Sequence, residues 1–325
     1  MTRINVLRTI DDWERQYGPA QRPSVVSIGN FDGLHLGHRK ILRTVVERAT
    51  ANGALAAVVT FDPHPLKVLR PAQAPRLLQT LEQKIAGFAD FGLDAVLVLN
   101  FDAGLAALSP EEFVCSTLVA CLRAKAVLVG QSFRFGARQA GDAMRLHALG
   151  ERFGFAVEII GPVAVDGKVV SSSVVRAVIA EGRVAHAARL LGRPFSLTGP
   201  VRHGAGRGAA IVVPTLNLAA EQEQLPKSGV YATETVLDGR VYRSATNVGI
   251  RPTFDAGSIS VESHLFDFSG TFTEGRLEVR FWERLRDEIK FAGPAQLREQ
   301  IGTDLQTARE FFSRLDRSST APPSA

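Results

Sequence analysis

Short apolar runs alternate with longer stretches of helical period through the first half of the chain. The runs Val25 to Ile28, Leu55 to Phe61, Ala95 to Leu99, Ala126 to Val129 and Ala156 to Ile160 predict strands. Between them, Leu36 to Ala51, Thr80 to Phe91, Pro110 to Leu122 and Gly141 to Phe153 predict helices. The third helix opens on Ser109-Pro110-Glu111-Glu112, which offers an N-cap hydroxyl, a proline in the first helical position and a capping-box glutamate. Strand and helix in alternation predict a mainly parallel sheet covered on both faces. Ligands of such sheets sit beyond the carboxyl ends of the strands, where the loops after Ile28, Phe61 and Val129 fall.

The pattern changes after Gly182. From Phe195 to Arg280, short alternating runs are separated by turn residues, with Leu237-Asp238-Gly239-Arg240 set between Val230-Tyr231-Ala232-Thr233 and Val241-Tyr242. Asp-Gly flanked in this way signals a hairpin, and several short strands with no interleaved helix predict an antiparallel barrel or sandwich. Leu297, Ile301, Leu305, Ala308, Phe311 and Phe312 then recur at helical spacing in a closing helix, Pro294 to Leu315. The expected organisation is an α/β domain over residues 1–188, a β domain over 189–315, and a disordered tail over 316–325 that contains Ser318-Ser319-Thr320-Ala321-Pro322-Pro323.

Length supports two domains, because 325 residues exceed the roughly 250 to 300 at which single cores split. Hydrophobic residues at 45% and charged residues at 22% are ordinary for a soluble globular protein. No apolar run nears the roughly 20 residues of a membrane helix, and Met1-Thr2-Arg3-Ile4-Asn5 lacks a signal-peptide core. Cys115 and Cys121 lie six apart on one predicted helix, hence on different faces, so no disulfide or metal site is expected. The expected location is cytoplasmic. The net charge of +5 suits anionic nucleotides and suits plain solubility equally. No Lys/Arg run with interleaved aromatics points to nucleic acid.

Candidate chemistry concentrates where the first predicted strand meets the first predicted helix, in Gly29-Asn30-Phe31-Asp32-Gly33-Leu34-His35-Leu36-Gly37-His38. The glycines allow a tight turn and close approach of a ligand, and the helix start aims free N–H groups and a positive dipole end at it. Two imidazoles one helical turn apart face the same anion. Phe61-Asp62-Pro63-His64-Pro65 follows the second strand, its prolines stiffening the loop that carries His64. Gly130-Gln131-Ser132-Phe133-Arg134-Phe135-Gly136 follows the fourth; its aromatic pair reads as core by spacing alone. Ser171-Ser172-Ser173-Val174-Val175-Arg176 reads equally as a set of helix caps or as a phosphate site with a forked guanidinium.

In this order the four elements resemble the adenylyltransferase half of the bifunctional riboflavin kinase/FAD synthetase family, a branch of the H-x-G-H nucleotidyltransferases. The resemblance implies a Rossmann-like N-terminal domain in which an FMN phosphate oxygen attacks the α-phosphorus of ATP and pyrophosphate leaves. His35, His38 and Arg176 would then be catalytic. Gly29, Phe31, Asp32, Gly33, Gly37, Ser172 and Ser173 would surround ATP, and His64, Ser132 and Phe133 would border the flavin. Ser132 stands where the family has Asp or Asn, and Ser173 where it has Thr.

The resemblance runs on through Leu191-Gly192-Arg193-Pro194, Gly199-Pro200-Val201-Arg202-His203-Gly204, Asn247 to Phe254, Val261-Glu262-Ser263-His264 and Arg286 to Phe291. These segments are similar to the riboflavin kinase barrel, so the match covers residues 22–313. It implies a nucleotide loop at Arg207 and Gly208, Mg²⁺ held by Thr215 and Asn217, Glu262 as the base for the riboflavin 5′-hydroxyl, and Arg286 at the flavin. One stretch departs: where the family reads G-R-T-x-G-F-P-T-A-N, this chain has Gly208-Ala209-Ala210-Ile211-Val212-Val213-Pro214-Thr215-Leu216-Asn217. A cation, a hydroxyl and a glycine are lost there, so the expected kinase is weakened. ATP, riboflavin, FMN and FAD are the implied partners, with no nucleic acid and no membrane; a homo-oligomer stays open. Competing readings are an adenylyltransferase with a vestigial barrel, a flavin sensor, and a paralogue acting on a flavin analogue.

Overall fold

The structure, a computed structural model, describes residues 4–18, 22–202, 215–250, 259–270, 272 and 274–320. It separates into two compact units, Met1–Ser172 and Ser173–Ala325. The division falls ahead of Gly182, after which the sequence pattern changes.

The first unit is built on six parallel strands. These are β1 (Asn5–Leu7), β2 (Ser24–Ile28), β3 (Leu55–Asp62), β4 (Ala95–Asn100), β5 (Ala124–Gly130) and, after a short antiparallel pair β6 (Arg134–Phe135) and β7 (Gly141–Asp142), β8 (Ala156–Ile160). A second short pair, β9 (Ala164–Val165) and β10 (Lys168–Val169), closes the unit. The sheet order is β1-β4-β3-β2-β5-β8. Side chains alternate between two cores: Val26, Ile28, Ala57 and Val59 pack on one face, Val25, Ala56 and Val58 on the other. The polar interruptions in β2 are satisfied by the neighbouring strand and its lead-in, Ser27 Oγ donating to the Leu128 carbonyl at 2.7 Å and Ser24 Oγ to that of Leu122 at 2.6 Å. Strand order reverses between β2 and β5, which opens a crevice at their carboxyl ends.

The helices of this unit are α1 (Ile10–Tyr17), α2 (Leu36–Ala51), α3 (Pro65–Leu69), α4 (Leu81–Asp90), α5 (Ala103–Ala107), α6 (Pro110–Phe113) and α7 (Ala143–Phe153). The α-helix expected through Leu122 changes character: Val114–Cys121 is π-helical, with Leu122 N donating to the Thr117 carbonyl at 2.9 Å. The wider turn buries Val114, Thr117, Leu118 and Cys121 together. Cys115 and Cys121 are free thiols, as expected, and burial pushes Cys121 up to about 12.

Helix α8 (Ser172–Ala180) begins at the last residue of the first unit and continues into the second, where α9 (Val184–Leu191) follows. A closed antiparallel barrel follows: β11 (Phe195–Arg202), β12 (Leu216–Leu218), β13 (Gly229–Leu237), β14 (Arg240–Ile250), β15 (Ile259–Leu265) and β16 (Arg276–Arg286), ordered β11-β12-β15-β14-β13-β16. The expected hairpin turn is there, with Asp238 and Gly239 both at positive φ (47° and 76°) between β13 and β14. Inside the barrel the buried hydroxyls of Thr233, Thr235, Ser244, Thr246 and Ser263 hydrogen-bond in series. The closing helix α10 (Pro294–Thr320) buries Ala308 and Phe312 against Ala232 and Ala245. It runs past Leu315, which corrects the expected tail: Asp316 takes both guanidinium nitrogens of Arg243 and holds the extra turn on the barrel.

Candidate active sites

Between β2 and α2 the chain makes a tight, strained turn. Phe31 (φ 49°) and Leu34 (φ 46°) both adopt left-handed backbone, and both side chains are buried, which holds them there. His35 is the N-cap of α2, its Nδ1 accepting from His38 N at 3.4 Å. Its ring stacks on that of His38 with centroids 3.7 Å apart and 17° between planes. A Cβ on residue 37 would lie 3.1 Å from the His35 ring, so glycine there lets the ring lie over the helix start. Phe31 packs edge-on to His38 at 5.2 Å. Burial, then His35, then Lys84 hold the His38 imidazole well below its usual range, and its Nδ1 is buried without a partner. The pair therefore presents imidazole N–H groups and helix N-terminal amides at the crevice where strand order reverses.

Two other motifs attach to this turn. Ser172 Oγ donates to the Asp32 carbonyl at 2.8 Å, and the Asn30 amide pairs with His64 Nε2 at 3.2 Å. His64 Nδ1 accepts from Leu66 N, capping α3. Asp32 is turned inward: its carboxylate accepts from Leu78 N at 3.0 and 3.2 Å, which braces the turn. Phe31 likewise serves as packing. Gly29 N donates to the Val59 carbonyl at 3.1 Å, and Gly33 adopts φ 89°. After β5, Ser132 is exposed and Phe133 is half-buried, stacked on the buried Phe135 at 5.3 Å. Ser173 is exposed on α8, and Arg176 lies one turn further along that helix, within the second unit.

On the barrel, Glu262 of β15 stands in register with Asn217 of β12 on one side and Asn247 of β14 on the other. Val261, Ser263 and Leu265 point inward, so this polar row faces outward on the barrel wall. Thr215 precedes the row and is exposed. Arg286 is placed elsewhere: Nε and one Nη bind both oxygens of the buried Asp304 at 2.7 Å, and the other Nη donates to the Asp287 carbonyl. Two of these nitrogens tie β16 to α10. Arg207, Gly208 and the altered stretch through Pro214 lie outside the described residues.

Two family models match in tandem, FAD synthetase over residues 18–174 and riboflavin kinase over residues 191–312. A bifunctional riboflavin kinase/FMN adenylyltransferase of Pseudomonas fluorescens is 39% identical over 292 residues, spanning 90% of this chain and 94% of that protein. The chain belongs to the bifunctional riboflavin kinase/FMN adenylyltransferase family. A Bacillus subtilis member is 34% identical over 301 residues, covering 91% and 94%. A solved structure described as a macrolide-efflux protein from Streptococcus pneumoniae is 28% identical, covers 94% of this chain and 98% of that one, and superposes with a TM-score of 0.82. Among the described residues no helix is long and apolar enough to cross a membrane.

Against this family background, sequence reasoning missed Lys84, Asn247 and the Leu78 amide. Lys84 had a readable signal, since it sits four residues before Phe88 on the apolar side of α4. The Asn247–Glu262 partnership needed strand register, which motifs alone do not supply.

Proposed function

We propose that this chain makes FAD from riboflavin in two ATP-dependent steps, the barrel phosphorylating riboflavin to FMN and the parallel-sheet unit adenylylating FMN. The observation that carries the second step is the stacked His35–His38 pair at the α2 N-terminus, set at the crevice where strand order reverses. An FMN phosphate oxygen attacks the α-phosphorus of ATP and the bond to pyrophosphate breaks. No protein nucleophile is needed, because positioning and charge stabilisation suffice. His35 and His38 donate N–H groups to phosphate oxygens as charge develops. Gly29, Gly33 and Gly37 admit the phosphates and Ser172 adds a hydroxyl, with Ser173 assigned to ATP on its motif alone. Arg176 is assigned to the phosphates on its motif, where a planar fork binds two oxygens. Phe133 and the rigid His64 loop are assigned to the flavin, with Ser132 as a short hydrogen-bonding replacement for the family's Asp or Asn.

In the barrel, Glu262 takes the proton of the riboflavin 5′-hydroxyl as that oxygen attacks the γ-phosphorus of a second ATP, and the bond from that phosphorus to the departing ADP breaks. Asn217, buried beside it, and Thr215 offer an amide oxygen and a hydroxyl, hard donors that fit Mg²⁺. When bound with ATP, Mg²⁺ neutralises phosphate charge. Incubating the protein with FMN and ATP, then quantifying FAD and pyrophosphate, tests the first unit directly. Equal amounts of both are expected; FAD absent at any pH would refute the assignment.

A further inference from the structure

Among the described residues, the reaction scheme leaves one buried cation unused. Lys84 is only 8% exposed, on the face of α4 that carries Phe88. That face is fixed to the histidine turn at three points. Phe88 meets Phe31 edge-on at 5.6 Å, Gly87 lies against Leu34, and Leu78, just ahead of the helix, donates its N–H to Asp32. Among the described residues the Lys84 ammonium makes no ion pair; the Asp32 and Asp62 carboxylates attract it from farther off, against a burial that disfavours its charge. A cation taken from water without a direct counter-ion is costly to keep. Close by, His38 Nδ1 is buried without a partner.

We propose that Lys84 is a positioning residue for adenylyl transfer, its buried ammonium acting on the phosphates through the stacked His35–His38 pair. The inference rests on the adenylyltransferase reading above. Among the described residues, the charged and titratable groups acting on His38 are His35, stacked beside it at the α2 N-cap, and Lys84 from α4, with Asp32 in the turn and Asp62 at the end of β3 attracting Lys84. With Lys84 supplying fixed positive charge, His38 stays a neutral N–H donor and need not gain or lose a proton as charge builds on the leaving pyrophosphate.

The test is the pH profile of kcat for FMN adenylylation, from about pH 5 to pH 9, in wild type, Lys84→Met and Lys84→Arg. Removing the ammonium lets His38 protonate more readily, so in Lys84→Met the acidic limb moves to higher pH. Lys84→Arg keeps the charge and keeps the wild-type limb. A folded Lys84→Met whose limb stays in place, or a Lys84→Arg that shifts as far as Lys84→Met, overturns the proposal. Should Lys84→Met fail to fold, Lys84→Gln is measured in its place: an acidic limb moved to higher pH upholds the proposal, and an unmoved limb overturns it. A wild-type protein that makes no FAD overturns the adenylyltransferase reading itself, and this inference with it.

Discussion

Two imidazoles stacked 3.7 Å apart cannot both carry charge at modest cost, so the pair works as donors set by packing. Replacing His38 with alanine removes one preorganised donor and is expected to lower FAD formation on the order of 10²- to 10³-fold. Steady-state rates with FMN check this, and riboflavin phosphorylation by the same variant should be unchanged. Arg286 makes a different residue-scale prediction. Removing it leaves the buried Asp304 carboxylate with the Gln300 amide and no counter-ion among the described residues, so Arg286→Ala should cost about 3 kcal/mol of barrel stability in denaturant melts, with little change in the KM for riboflavin. A raised KM with unchanged stability would return Arg286 to the flavin. The histidines were legible because their spacing within a glycine-rich turn has few other uses. The inward turn of Asp32 was not, because its partner, the Leu78 amide, is distant in sequence and carries no side-chain signature.

At the scale of elements, α4 acts as the backing plate of the histidine turn. A Cβ on Gly87 would come 2.3 Å from Leu34 Cδ1, and Leu34 is buried in left-handed backbone with little room to yield. Gly87→Val should therefore destabilise the first unit by about 1–3 kcal/mol through overpacking, read in thermal unfolding. FAD formation should fall while riboflavin phosphorylation persists. The long strands and helices were readable from their apolar period; α2 begins and ends where its pattern does, at Leu36 and Ala51. The π-helical stretch Val114–Cys121 was not, since its residues keep a helical alternation and only burial selects the wider turn. The edge strand β1 and the helix α1 were missed as well. β1 is three residues long, and α1 is announced by the Thr9–Asp12 capping box and the buried Trp13.

For the whole molecule, the tandem order of a parallel-sheet unit and a closed barrel was legible, because the apolar period changes from alternating strands and helices to strands alone. Strand order and register were not, as they depend on contacts remote in sequence. The altered stretch Gly208 to Asn217 bears on the balance of the two activities. Phosphorylation of riboflavin is expected to be slower than adenylylation of FMN. Restoring Ala209→Arg together with Val212→Gly should raise it without changing FAD formation from FMN. A chain that already phosphorylates riboflavin faster than it makes FAD would contradict that reading. The central claim is two separable activities in one chain, and the most direct measurement is a chromatographic time course of riboflavin, ATP and Mg²⁺ with wild type, His38→Ala and Glu262→Gln. Wild type should pass through FMN to FAD, His38→Ala should stop at FMN, and Glu262→Gln should leave riboflavin largely unconverted yet still turn supplied FMN into FAD. Loss of both steps in either folded variant, or no flavin product from wild type, would contradict the account.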